Sequence, residues 1–179
     1  MELREQMVSS QTVFEGKIIT VKLDKALLPN GAEASREVVK HPGGVCILAL
    51  QEDGTVPLVR QFRYPLGDVM LELPAGKREK DEDPMLCGIR ELEEECGCKA
   101  GSFELLSVMY PTVGYCSEVI HIYLAKELTA TAQRLDEGEF LSVEKIPFST
   151  ALEMVLRDEI PDAKTQLAIL KIHAMRTAK

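Results

Sequence analysis

No run of 18 or more apolar residues occurs in the 179-residue chain, so no segment is suited to span a bilayer as a helix. The first residues, Met1-Glu-Leu-Arg-Glu-Gln6, carry no apolar stretch of the kind a signal peptide needs. Basic charge is in deficit: 21 Lys and Arg stand against 29 Asp and Glu, a net charge of -8. That balance excludes a nonspecific nucleic-acid binder, whose affinity would come from cations on phosphates. The cysteines, at 46, 87, 96, 98 and 116, are odd in number and form neither a Cys-x-x-Cys pair nor a zinc spacing. They read as reduced thiols in a disulfide-poor intracellular compartment. The histidines, at 41, 121 and 173, have no partner at metal-ligand spacing, and His121 reads as a packed strand residue. No internal repeat or low-complexity tract is present. What remains is a cytoplasmic protein, with no membrane or nucleic-acid partner, whose 45% hydrophobic content is enough for a core without staples.

The chain divides at His41-Pro42-Gly43-Gly44, a breaker cluster. Before it, Thr12–Glu15, Lys17–Leu23 and Ser35–Lys40 read as strands, the last two joined through the turn Pro29-Asn30-Gly31. Three short strands bury little surface alone. Residues 1–42 are therefore expected to form an antiparallel strand module that pairs with a second copy, and residues 43–179 the main domain.

In the main domain Val45–Leu50 is a continuous apolar run, the mark of a strand buried on both faces. Asp53-Gly54 turns the chain into a strand at Val56–Arg63, and Met70–Pro74 leads onward. Further strands are expected at Phe103–Tyr110, Val119–Ala125 and Phe140–Val143. Thr150 with Glu153 has the spacing of a capping box opening a short helix, and Pro161-Asp162 opens a final helix to about Ala174. Strands on either side of a mid-chain helix, with helices at the end, predict an α/β fold with a mixed sheet sandwiched between helices.

That mid-chain helix is the chemical centre. Asp83-Pro84 is a helix start and Gly97 a stop. At about 100° per residue, Met85, Leu86, Ile89, Leu92 and Cys96 share one face and Glu91, Glu94 and Glu95 the opposite one. Like charges one turn apart repel, and anions near a helix C-terminus oppose the macrodipole. A folding argument alone would not gather them. A hard divalent cation would, since Mg²⁺ and Mn²⁺ favour carboxylate oxygens and are commonly shared with a substrate's phosphates.

The full stretch runs Gly76, five residues, Glu82, seven residues, then Arg90-Glu91-Leu92-Glu93-Glu94-Glu95-Cys96-Gly97-Cys98. It resembles the Nudix box, and at background residue usage the chance of such a match is on the order of 10⁻⁸ per starting point. Cys98 stands where that family usually has an aliphatic residue. Gln61-Phe-Arg63, Glu72-Leu-Pro-Ala-Gly76 and the late acidic loop Leu135-Asp-Glu-Gly-Glu-Phe140 extend the resemblance toward the ADP-ribose pyrophosphatases. It implies a Nudix-type fold, dimerisation through exchanged N-terminal strands, and Mg²⁺- or Mn²⁺-dependent hydrolysis of ADP-ribose to AMP and ribose 5-phosphate. Another nucleoside diphosphate sugar, a dinucleoside polyphosphate, or binding without turnover are the alternatives.

The same resemblance makes Glu91, Glu95 and the Ala75 carbonyl metal ligands, with Glu94 a further ligand or an orienter of water. Arg90 would pin carboxylates bidentately. Glu137 and Glu139 match the positions that supply a base and an extra ligand, without indicating which does which. Arg36 and Arg63 match guanidinium groups on the substrate, Glu118 a carboxylate near the terminal ribose, and Phe14 a ring that stacks on adenine. The pair Val113-Gly114 stands where the ADP-ribose subfamily usually has Pro-Gly, with Pro111 two residues early. That departure bears on substrate identity rather than on catalysis.

Overall fold

The computed structural model describes residues 2–178. The chain forms two compact units, residues 1–43 with 110–119, and residues 44–109 with 120–179.

In the first unit β1 (Gln6–Glu15), β2 (Thr20–Leu27) and β3 (Glu33–Lys40) form an antiparallel sheet in the order β1-β2-β3. β1 begins six residues before the expected strand. The second strand begins at Thr20 rather than Lys17, because Gly16 N–H donates to the Ile19 carbonyl (2.9 Å) and spends the intervening residues on a turn. Segment 110–119, between the strands expected at Phe103–Tyr110 and Val119–Ala125, is zipped onto the end of β3: Val39 N–H donates to Tyr115 O (2.8 Å) and Ser117 N–H to Val39 O (2.9 Å).

The second unit holds β4 (Gly44–Ala49), β5 (Thr55–Arg63), β6 (Asp68–Glu72), β7 (Ala75–Lys77), α1 (Pro84–Cys96), β8 (Cys98–Met109), β9 (Ile120–Ala130), β10 (Leu141–Pro147), α2 (Phe148–Leu156) and α3 (Ala163–Thr177). Its sheets are ordered β7-β4-β9-β8 and β10-β5-β6. β4 and β9 are parallel and their other neighbours antiparallel, so the larger sheet is mixed.

The apolar run of β4 is what the layers are built on. Cys46 and Leu48 pack with Phe148, Ala151 and Val155 of α2 and with Ile169 of α3. Val45, Ile47 and Ala49 pack with Cys87 and Leu92 of α1. Period-2 alternation thus sends neighbouring residues into two cores, and the expected sandwich of helices about a mixed sheet is what forms.

Three local expectations are corrected. Thr150 lies inside α2 and caps nothing; the helix starts at Phe148 after Pro147, without a side-chain cap, because Phe148 is 7% exposed and its N–H donates to Gly54 O (3.0 Å). β7, three residues containing a glycine, was too short to show as a strand, and pairing with β4 defines it. Only part of the apolar stripe of α1 is buried: Leu92 is, and Cys96 packs against the core. Met85, Leu86 and Ile89 are 42%, 63% and 41% exposed, while Cys87, Gly88, Glu91, Leu92 and Glu95 are buried. Small residues at 87 and 88 let the helix approach β8 and β9, and that rotation carries two glutamates inward.

Gly97 ends α1 in the left-handed region (φ 58°, ψ 44°), with its N–H donating to Glu93 O at 3.0 Å. A Cβ there would stand 2.8 Å from Thr131 O and 2.9 Å from Gln133 N. Gly97→Ala is expected to cost about 1–3 kcal/mol, from the left-handed conformation and the backbone clash. Urea unfolding should show the midpoint falling with the slope unchanged.

Candidate active site

The N-terminus of α1 is fixed by Asp83, whose Oδ1 accepts from Met85 N–H (2.9 Å) and Leu86 N–H (3.2 Å), with Pro84 at the first helical position. Two turns on, the buried face meets β7. Glu95, 1% exposed, accepts through Oε2 from Ala75 N–H at 2.9 Å. Glu91, 8% exposed, lies against Gly76, where a Cβ would fall inside its carboxyl group. The glycine that opens the box is therefore a space requirement: only an absent side chain lets β7 and Glu91 share that position.

Arg90 binds three carboxylates. Its Nη1 donates to Glu94 Oε2 (2.8 Å) and pairs with Glu91 Oε1 (2.9 Å), while Nε and Nη2 donate to Glu82 at 3.0 and 3.2 Å. This fork spreads one charge over three anions and fixes the loop before α1 to the helix. It also holds the Glu82 carboxyl down at about 2.

A cleft of about 270 Å³ opens beside this wall. Of the residues singled out in the sequence, Arg63, Ala75, Arg90, Glu91 and Glu139 line it. Glu95 lies behind Ala75. Glu94 borders a different hollow, with Leu86, Ile89 and Arg134. Glu139 accepts a long hydrogen bond from Gln61 Nε2 (3.4 Å), whereas Glu137 is exposed and does not line the cleft. Gln61 and Asp136, named above only as parts of longer segments, and Lys77 and Glu79 also line it; their types are ordinary surface types, and only the fold brings them together.

The remaining candidates belong to the strand unit. Arg36 is paired with Glu5 (2.6 Å), Phe14 is 55% exposed on β1, and Glu118 Oε1 lies 3.5 Å from His41 Nδ1. The Arg36–Glu5 pair leaves that guanidinium with its carboxylate rather than free.

Burial pushes the Glu91 carboxyl up to about 7, with Glu94 and Glu139 adding repulsion and Arg90 opposing. Burial likewise pushes Glu95 up to about 8, with the Ala75 N–H opposing and Glu91 and Glu139 adding repulsion. These are carboxylates removed from water without enough compensating charge.

Buried acids facing guanidinium groups across a small polar cleft define a site for an anionic ligand held through a cation. Comparison with known proteins supplies the family. The chain belongs to the Nudix family: the NUDIX domain profile matches residues 40–167, and a nucleoside diphosphate sugar hydrolase N-terminal domain profile matches residues 5–39. The ADP-ribose pyrophosphatase of Bacillus subtilis (strain 168) is 40% identical over 169 residues, covering 93% of this chain and 91% of the relative. The methanol dehydrogenase activator of Bacillus methanolicus is 35% identical over 177 residues, covering 98% and 96%. In fold, the crystal structure of an ADP compounds hydrolase superposes with a TM-score of 0.85 over 99% of this chain and 97% of that one, at 19% identity. No helix among the described residues is long and apolar enough to cross a membrane.

Nudix hydrolases use divalent metal ions, and the donor set here fits one. Glu95 feels the charges of Glu91 and Glu139, and Glu91 that of Glu139, and Gln61 Oε1, at the cleft, is buried without a hydrogen-bond partner among the described residues. Among those residues no three acidic, His or Cys side chains are grouped so as to hold a metal ion by themselves. The chemistry suits a hard cation completed by other oxygens.

The raised carboxyls make stability depend on pH. Folded values near 7 and 8 lie above the usual 4.5, so the folded chain keeps protons that the unfolded chain has released. Their favourable contribution is full below about 4.5 and is lost as pH rises through 7 and 8. His121, lowered by burial and by Arg78, acts in the opposite sense below its usual 6.5. With metal removed, Tm should fall as pH rises from about 5 to 8.5; saturating Mg²⁺, or Glu91→Gln with Glu95→Gln, should flatten the slope. A metal-free profile level across that range would contradict the assignment.

Proposed function

We propose that the protein hydrolyses the diphosphate bond of ADP-ribose to AMP and ribose 5-phosphate, with Mg²⁺ or Mn²⁺. The observation that carries this is the pair Glu91 and Glu95, buried and short of charge, at a cleft with Arg63 and Arg90 on its wall. Glu91 and Glu95, with the Ala75 carbonyl, would hold the cation, and Glu94 supports them through Arg90. What a divalent ion supplies in such a site is neutralisation of the diphosphate and a lowered pKa for water.

The chain's own residues divide the remaining work. Arg63 and Arg90 offer guanidinium edges to diphosphate oxygens. Glu139 is assigned the base, because it faces the cleft and Glu137 does not. Gln61, donating to Glu139, orients that carboxylate. The Bacillus subtilis relative's name supports ADP-ribose as substrate, and the N-terminal profile supports the wider class of nucleoside diphosphate sugars. The Val113-Gly114 pair in segment 110–119 keeps another sugar nucleotide as the second reading.

The strand module is proposed to join a second copy by exchange of its strands. Every residue of β1 is exposed, including Met7 (71%), Val8 (55%), Val13 (56%) and Phe14 (55%), an apolar load unusual for a monomer's surface. Light scattering at micromolar concentration should give twice the 19.9 kDa chain mass; a monomer would end the proposal.

The function is tested by incubating the protein with Mg²⁺ and ADP-ribose, ADP-glucose, NADH or diadenosine polyphosphates and identifying products. AMP from ADP-ribose at the highest kcat/KM is expected, with loss of turnover on chelation. Glu95→Gln should lower kcat by about 10²-fold or more, and Glu139→Gln by about 10²–10⁴-fold if it is the base. Unchanged turnover in Glu95→Gln would remove the metal assignment, and in Glu139→Gln the base.

A further inference from the structure

Lys164 is a charge that folding alone would not place where it is. It lies in the first turn of α3, where the macrodipole disfavours a cation, and its side chain is 12% exposed. Burial would lower its pKa, yet flanking Asp162 and Glu72 hold it above the usual range. Its Nζ donates to Asp162 Oδ1 (2.8 Å) and to Glu72 Oε2. Glu72, 2% exposed on β6, uses its other oxygen, Oε1, to accept from Arg63 Nε at 2.6 Å.

The division of the Glu72 oxygens is the informative detail. A buried carboxylate facing a single arginine tends to take it in the bidentate, two-nitrogen form. Here Lys164 occupies Oε2, so Arg63 is held through Nε alone. Both its terminal nitrogens are left without a hydrogen-bond partner among the described residues, on a side chain that lines the cleft. The network is anchored behind: Thr165, fully buried, donates through Oγ1 to Asp162 (2.6 Å) and accepts from Leu73 N–H (2.9 Å).

We propose that Lys164, acting through Glu72, is a positioning residue that keeps the terminal edge of Arg63 free for the substrate's diphosphate. This rests on the function proposed above. Without the lysine, Glu72 Oε2 is unpaired and the Arg63 guanidinium turns to satisfy it, withdrawing from the cleft. The loss then falls on substrate binding and leaves the buried acids of α1 in place.

The test is steady-state kinetics on the intact protein with Mg²⁺ and ADP-ribose, at temperatures below each variant's Tm. Lys164→Met is expected to raise KM about tenfold with kcat within about threefold, and Lys164→Arg to restore KM to within about threefold. In a Glu72→Gln background, Lys164→Met should add no further change, because the carboxylate it controls is gone. An unchanged KM in Lys164→Met, or an equal rise with and without Glu72, overturns the proposal. Should Lys164→Met fail to fold, Glu72→Gln and the double variant decide it, equal KM supporting and unequal KM overturning. A wild-type protein that hydrolyses no nucleoside diphosphate sugar would defeat the functional reading itself, whereas an active wild type with an indifferent Lys164→Met defeats only this inference.

Discussion

Glu91 and Glu95 carry carboxyl groups that the fold has removed from water, and an ionised carboxylate so placed costs several kcal/mol unless a cation, a proton or hydrogen-bond donors stand against it. The structure supplies only part of that compensation: one backbone N–H for Glu95 and one corner of Arg90 for Glu91. The shortfall is visible as carboxyls that hold protons near neutrality. Everything around them can be read as the means of tolerating the debt. β7 is held by β4 and presents its N–H to Glu95, Gly76 vacates the space Glu91 needs, and Arg90 ties three carboxylates into one rigid fork.

That constraint explains which parts of the molecule were readable in the residue pattern. The box spacing was legible because its chemistry is local: Gly76, Glu82, Arg90, Glu91 and Glu95 meet within the consecutive stretch of β7, a loop and α1. The β4 run was legible because six apolar residues in succession suit only a strand covered on both sides. The orientation of α1 was not. Amphipathic reasoning sends charge to water and apolar groups inward, and a helix whose purpose is to bury two acids reverses the rule, leaving Met85, Leu86 and Ile89 outside. Glu137 and Glu139 were inseparable for a related reason: in a loop, two residues' spacing says nothing of which side faces a cleft. The Lys164–Glu72 contact joins positions 92 apart, and no local pattern reports such a pairing.

The strand unit shows where residue matching stops carrying structural weight. Arg36, Phe14 and Glu118 match positions that relatives use, and within their own unit they are a guanidinium paired with Glu5, an exposed ring and a carboxylate beside His41. The Val113-Gly114 departure, in contrast, falls in a segment fastened to β3 by backbone hydrogen bonds on either side of Cys116.

An acidic chain that binds a doubly anionic group must arrange its few cations with care, since a net charge of -8 repels the ligand at long range. The cleft meets this by setting its cations among its acids. Arg63, Lys77 and Arg90 share the lining with Glu79, Glu91, Asp136 and Glu139, and Glu95 is buried against the Ala75 N–H. Neither basic side chain whose partners are resolved is loose: Arg90 is held by Glu82 and Glu94, and Arg63 by Glu72. Fixed guanidinium groups lose less entropy on meeting an oxyanion than mobile ones. The same acids that make the chain anionic therefore act as tethers for the cations that must recognise an anion, and the buried pair on α1 has only one corner of Arg90 and one backbone N–H set against its charge.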